Sequence, residues 1–173
     1  MHLEKTMTKP RVLIAPLDWG LGHATRCIPI IHELLNADFN VLIAAKGNIA
    51  ALLKSEFPQL IFLPLEGYNI KYGKGRTGFM IKIIAQIPKI LRAIKQENAW
   101  LKKIVEEHNV SAVISDNRYG LYHKRVFSVF ITHQLCIKST LGKWSEKILQ
   151  QINYSLINRF NECWVPDVEA KES

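Results

Sequence analysis

The chain has 173 residues, 48% of them hydrophobic and 22% charged, with a formal net charge of +8. This is the composition of a globular chain with material for one sizeable core. No stretch reaches the roughly 18 uninterrupted apolar residues of a helical membrane span, which excludes that class.

Residues 11–15 (RVLIA) form a short apolar run ending at Pro16 and read as a buried strand. A glycine loop follows, then residues 24–35, where Ile28, Ile31, Leu34 and Leu35 fall at helical spacing. Residues 40–45 (NVLIAA) are a second buried strand, 49–57 a helix stopped by Pro58, and 60–63 a third strand. The four glycines of 66–78 and their lack of apolar period predict a long, mobile loop. Helical periodicity runs through 79–107, with Pro88 expected to break or kink it. Two more strands are expected at 110–115 and 126–131, a helix at 141–160 and a last strand at 162–165. Nearly all-apolar strands alternating with helices predict α/β architecture: an open, doubly wound, Rossmann-like parallel sheet covered on both faces. The expected division is a flexible N-terminus at 1–9, one domain at 10–166 and a tail or linker start at 167–173. In such sheets ligands bind beyond the carboxyl ends of the strands, where strand order reverses.

The loop most worth attention is therefore Gly20-Leu21-Gly22-His23-Ala24-Thr25-Arg26, between the first strand and the first helix. Its glycines allow a sharp turn and close approach to a ligand, and the helix N-terminus behind offers free N–H groups. Thr25 stands where a dinucleotide fingerprint needs a third glycine, and the second strand ends in Ala44-Ala45-Lys46 without the ribose-binding acid. A nicotinamide cofactor is thus disfavoured, and no cofactor is expected. His23, in the first helical turn, can take a proton from a hydroxyl as a general base. The imidazolium so formed needs a carboxylate, and Asp116, at the end of the fourth strand, is placed by topology to supply one. An Asp there can equally cap the turn that follows, and the residues alone leave both roles open.

Gly20-Leu21-Gly22-His23-Ala24-Thr25-Arg26 after a first apolar strand resembles the N-terminal, acceptor-binding domain of GT-B glycosyltransferases. The likeness is greatest to relatives of the peptidoglycan N-acetylglucosaminyltransferase and the diacylglycerol glycosyltransferases. The resemblance implies an inverting transfer in which His23 deprotonates the acceptor hydroxyl and Asp116 orients it. It also implies a substrate cleft lined by Gly20, Leu21, Gly22, Thr25, Arg26, Asn117, Arg118, His133 and Gln134. In the family a second Rossmann-like domain holds the nucleotide-sugar donor. No second glycine loop or ribose-binding acid pair occurs in this chain, which is expected to be inactive without a donor half.

The charge is unevenly placed. Between Lys71 and Lys103 nine basic residues face a single acid, Glu97, while the rest of the chain balances 14 against 14. Lys82, Lys89, Arg92 and Lys95 interleave with apolar residues, as in a basic amphipathic helix lying on an anionic membrane. The plainer reading is a packing helix with a solvated lysine face. A membrane role agrees with the resemblance, whose lipid-acceptor members are peripheral membrane proteins. It also leaves a second function open: a non-catalytic module that captures an anionic lipid or sugar phosphate. Nucleic-acid binding is disfavoured, since the cations are not interleaved with exposed aromatics and no RNA or DNA module is present.

Three widely spaced cysteines, Cys27, Cys136 and Cys163, make no disulfide framework and no CxxC metal pair. With no apolar signal segment at the start, a cytoplasmic chain is expected, at the inner face of a membrane if the basic helix binds one. His133 follows a strand end, where a ligand contact and a structural hydrogen bond are equally open. His32, His108 and His123 read as surface or core residues, and no histidine pair has metal-ligand spacing.

Overall fold

The computed structural model describes residues 9–68, 76–135 and 142–166. Six strands and four helices follow in the order β1 (Arg11–Pro16), α1 (Leu21–Asn36), β2 (Asn40–Ala44), α2 (Gly47–Glu56), β3 (Ile61–Leu63), α3 (Arg76–His108), β4 (Val110–Asp116), β5 (Phe127–Ile131), α4 (Lys143–Ile157) and β6 (Glu162–Trp164). The strands form one parallel sheet in the order β3-β2-β1-β4-β5-β6.

The two-residue period of the central strands divides the core between the faces of the sheet. Val12, Ile14, Val41 and Ile43 pack with Ala24, Cys27 and Ile31 of α1 and Ile49 and Leu53 of α2. Leu13, Ala15, Leu42 and Val113 point the other way, against Leu101, Ile104 and Val105 of α3. Phe130 of β5 joins Ile157 and Phe160 at the end of α4. Because both faces are covered, these strands are apolar at most positions and not at alternate ones. The predicted fold class stands: α/β, doubly wound, with all strands parallel.

Strand order reverses beside β1. The chain runs outward from β1 through β2 to β3, then α3 returns it to β4 on the opposite side of β1. The register places Pro16 opposite Asp116, so the two strands end level. The glycine loop and the β4 terminus therefore open at the same height, on either side of the switch point.

Two expectations need correction. Pro88 does not interrupt α3, which continues from Arg76 to His108 with the proline inside it. Pro88 is exposed, and the cost of keeping it is the one helical hydrogen bond that its missing N–H removes. Of the stretch 66–78 predicted as a loop, Arg76, Thr77 and Gly78 belong to α3, while 69–75 lie outside the described residues. The predicted termini at 1–8 and 167–173 also lie outside them, as do Cys136 and the side chain of Lys82.

Candidate active site

The turn out of β1 requires glycine at one position. Gly20 has φ +136°, a conformation that side chains rarely adopt, and it forms the N-cap of α1. Gly22 is different: it lies within the helix, and a Cβ there would meet nothing within 4 Å. The chain's own packing does not demand glycine at 22; its bare surface leaves the first turn open. α1 has no side-chain cap and no acidic residue in its first turn, so its leading N–H groups keep their affinity for an anion.

His23 stands in that first turn, and its Nδ1 lies 2.8 Å from Oδ2 of Asp116. The Asp116 side chain is fully buried and that of His23 is 15% exposed. A buried carboxylate accepts, so Nδ1 carries the hydrogen and donates it. Nε2 is left with its lone pair, on the opposite edge of the ring and without a partner among the described residues. Arg26, one turn further along α1, donates from Nη1 to Oδ1 of the same carboxylate at 3.1 Å. Each Asp116 oxygen thus has one donor, and the carboxylate cannot rotate without losing both. These bonds account for the carboxylate more directly than the turn cap that was its other reading. Arg26 Nη2 lies 3.5 Å from Nδ1 of exposed His133, which brings the strand-end histidine of β5 to the same cluster.

Cys27 lies beneath this group, wholly buried. Burial, reinforced by the Asp116 charge, pushes its thiol well above the ordinary range and keeps it protonated. It packs in the core formed by α1, β1 and β2.

Of the other residues expected to line the cleft, Leu21 and Thr25 are exposed on the first turns of α1, where the Thr25 hydroxyl donates to the Gly22 carbonyl at 3.1 Å. Gln134 is exposed beside His133, and its backbone carbonyl accepts from Asn153 Nδ2 at 3.1 Å. Asn117 and Arg118 depart from the expectation, since both side chains are buried. Asn117 takes φ +58°, and this left-handed residue sends its neighbours to different places. Asp116 turns toward α1, and Arg118 turns into the interior against α3.

Arg118 does not line the cleft. It is 1% exposed, and its Nε donates to Oε1 of Glu97 at 2.6 Å. Its remaining nitrogens reach the carbonyls of Pro16, at 3.5 Å, and Glu66. Oε2 of Glu97 accepts the Tyr68 hydroxyl at 2.7 Å and the Gly120 N–H at 2.9 Å. The Tyr68 oxygen in turn accepts the Tyr119 N–H at 2.8 Å. Burial raises the Glu97 carboxyl above the usual carboxylate range while the Arg118 charge pulls it back, and it raises the Tyr68 hydroxyl well above its ordinary value. This buried lattice ties together the ends of β1 and β4, the segment around Tyr68 and α3. Sequence reading missed Glu97 and Tyr68 as structural anchors. The available signal was that Glu97 is the lone acid in a strongly basic segment.

Lys89, Arg92 and Lys95 are exposed along α3, as a cationic helix face requires. Among the described residues no helix is long and apolar enough to cross a membrane, and no group of three or more His, Cys, Asp or Glu could hold a metal ion.

No protein-family model matches the sequence, and comparison with curated proteins gives no match. Solved structures do match. MurG of Acinetobacter baumannii aligns with a TM-score of 0.52 at 14% identity, over 96% of this chain and 43% of its own. UGT89C1 of Arabidopsis thaliana, solved with UDP, gives 0.54 at 12% identity over 91% of this chain and 45% of its own. The fold is that of one half of a GT-B glycosyltransferase. A putative UDP-N-acetylglucosamine 2-epimerase from Listeria monocytogenes gives 0.52 at 13% identity, over 95% and 41%. The chain spans less than half the length of each of these three structures. In this fold, the His23–Asp116 pair sits at the switch point of the sheet.

Proposed function

We propose that the chain is the acceptor-binding half of an inverting glycosyltransferase that works with a donor-binding domain and a nucleotide sugar. The observation that carries this reading is the 2.8 Å bond between His23 Nδ1 and Asp116, which directs the lone pair of Nε2 away from the protein's own carboxylate. The fold alone does not select transfer, since a putative epimerase shares it. The ordered histidine supports it, because a general base is what an alcohol needs to become a nucleophile.

In the proposed reaction Nε2 of His23 takes the proton of an acceptor hydroxyl while that oxygen attacks the anomeric carbon of the sugar. The bond from that carbon to the nucleoside diphosphate breaks on the opposite side, so configuration inverts. Asp116 keeps the ring in the correct tautomer and supports the imidazolium that forms. Arg26 holds the carboxylate from its other oxygen. The open N-terminus of α1, with Arg26 and His133 beside it, would receive the anionic part of a substrate. The exposed cations of α3, Lys89, Arg92 and Lys95, fit a hydroxyl-bearing acceptor presented at an anionic membrane, with the chain on the cytoplasmic side.

The test is turnover by the chain joined to its donor-binding domain and supplied with nucleotide sugar and acceptor. His23→Ala is expected to lower the rate about 10²- to 10⁴-fold, with acceptor affinity little changed. An unchanged rate would remove His23 from the base role and the proposal with it.

A further inference from the structure

A second site is present on the α3 face of the molecule, and none of the residues of the His23 cluster line it. A cavity of about 350 Å³ is bounded by Ile94, Lys95, Asn98, Ala99, Lys102, Tyr122 and Arg159. Four of these lie on one stripe of α3, since 95, 98, 99 and 102 are spaced by three and four residues. Tyr122 comes from the connection between β4 and β5. Arg159 comes from the turn between α4 and β6, which leads to the amino end of the strands and so away from the glycine loop.

The cations of this cavity keep donors to spare. Lys95 and Lys102 are exposed and have no ion-pair or hydrogen-bond partner among the described residues. The guanidinium of Arg159 lies over the Tyr122 ring, 5.3 Å from its centroid, and Nη1 donates to the Tyr122 hydroxyl at 3.4 Å. That hydroxyl accepts from the arginine, so its own hydrogen remains free to be donated into the cavity. The Tyr122 position is itself fixed: Asn98 Nδ2 donates to the backbone carbonyls of Tyr122, at 2.8 Å, and Gly120, at 3.0 Å. The carboxylates on this side of α3 are occupied elsewhere. Glu97 is buried on Arg118, Glu106 pairs with Arg125 at 3.6 Å, and Glu107 pairs with Lys103 at 3.6 Å. Three cations and a hydroxyl therefore line one cavity that no carboxylate lines, and Glu106, one turn beyond Lys102, is paired with Arg125.

We propose that this cavity binds a phosphoryl group, with Lys95, Lys102 and Arg159 as its cationic clamp and the Tyr122 hydroxyl as a neutral donor. The chemistry selects the class. Three cations in a cavity that no carboxylate lines suit a polyanion, and a planar guanidinium held over a tyrosine ring can meet adjacent phosphate oxygens. A volume of about 350 Å³ admits a diphosphate or a phospholipid headgroup, and a single chloride would leave most of it empty. The inference goes beyond the sugar-transfer reading and does not depend on its chemistry, because the site shares no residue with His23, Asp116 or Arg26, and of the cationic face of α3 it takes only Lys95.

The experiment uses the whole chain and two probes. Inorganic pyrophosphate is titrated by calorimetry at 0.15 M salt, with amide chemical shifts recorded in parallel. Phosphatidylcholine vesicles with and without phosphatidic acid are tested by co-sedimentation. Saturable pyrophosphate binding with shifts confined to residues around 95–102, 122 and 159 is expected. Lys102→Met and Arg159→Gln should each weaken it about tenfold or more, while Lys54→Met, which removes the same charge on α2, should leave it unchanged. If phosphatidic acid vesicles bind and both pocket variants abolish that binding, the source of the phosphoryl group is a lipid headgroup. If only pyrophosphate responds, the source is a soluble phosphate ester. Non-saturating shifts spread over the surface lysines, or equal losses for Lys54→Met and Lys102→Met, would overturn the site.

Discussion

Two clusters of nearly identical chemistry stand at the carboxyl ends of β1 and β4, and they differ chiefly in burial. In one, Asp116 is shared between His23 and Arg26, whose side chains remain 15% and 27% exposed. In the other, Glu97 is shared between Arg118 and Tyr68, and all three residues are at most 4% exposed. In the sealed cluster both carboxylate oxygens, the tyrosine hydroxyl and three guanidinium nitrogens have protein partners, so nothing remains for a ligand. The open cluster keeps one imidazole nitrogen in reserve. A charged constellation near a cleft is thus made either a scaffold or a reactive site by how many of its donors and acceptors the fold consumes.

The sharpest way to break the comparison is to remove Arg118. Arg118→Met leaves Glu97 buried without its cation, and unfolding by denaturant at pH 7.5 should record a loss of about 3–5 kcal/mol. The loss should shrink on acidification. Without the guanidinium, the folded-state pKa of Glu97 moves further above its unfolded value. The uncharged acid is then tolerated at low pH, and stability falls as pH rises through the raised value. A pH-independent loss would mean that Arg118 matters for packing alone.

Gly120→Ala presses on the same lattice sterically. A Cβ at this position would lie 2.5 Å from the Ile94 carbonyl oxygen and 2.7 Å from Glu97 Oε2, and the α3 backbone cannot give way as a flexible side chain would. A loss of about 1–3 kcal/mol is expected in the same denaturation measurement. His23→Ala should behave oppositely. The ring is partly exposed, and its removal takes one of two side-chain donors from buried Asp116, so a stability loss of about 1–3 kcal/mol, smaller than that of Arg118→Met, is expected while turnover falls about 10²- to 10⁴-fold. A variant that unfolds as readily as Arg118→Met would place His23 among the scaffold residues.

The smallest effect separates buried from accessible chemistry directly. Iodoacetamide at pH 8 should label exposed Cys163 and leave buried Cys27 unmodified in the native protein, read by peptide mass after digestion. Labelling of Cys27 would mean that the floor beneath His23 and Asp116 opens.

The sheet was legible because its central strands are buried on both faces. Runs such as RVLIA and VSAVIS have no polar alternation, and all-apolar strands separated by helices imply crossovers and parallel pairing. His23 and Asp116 were legible for a topological reason: loops after the first and fourth strands meet wherever strand order reverses. Residue type alone did not reveal the fate of Arg118, two positions beyond Asp116 and just as polar. Its burial depends on the left-handed turn at Asn117 and on Glu97, which is 21 residues earlier on a different element. A pairing across that separation leaves no local period. Pro88 misled because the loss of one hydrogen bond is a local cost that the rest of a long helix can outweigh.

The account depends most on the orientation of one ring, and long-range ¹H–¹⁵N correlation of the His23 side chain in its neutral form measures it directly. The expected result is a hydrogen on Nδ1 and a lone pair on Nε2, with the preference lost in Asp116→Ala. A hydrogen found on Nε2 would leave no lone pair facing an acceptor alcohol and would contradict the proposed base.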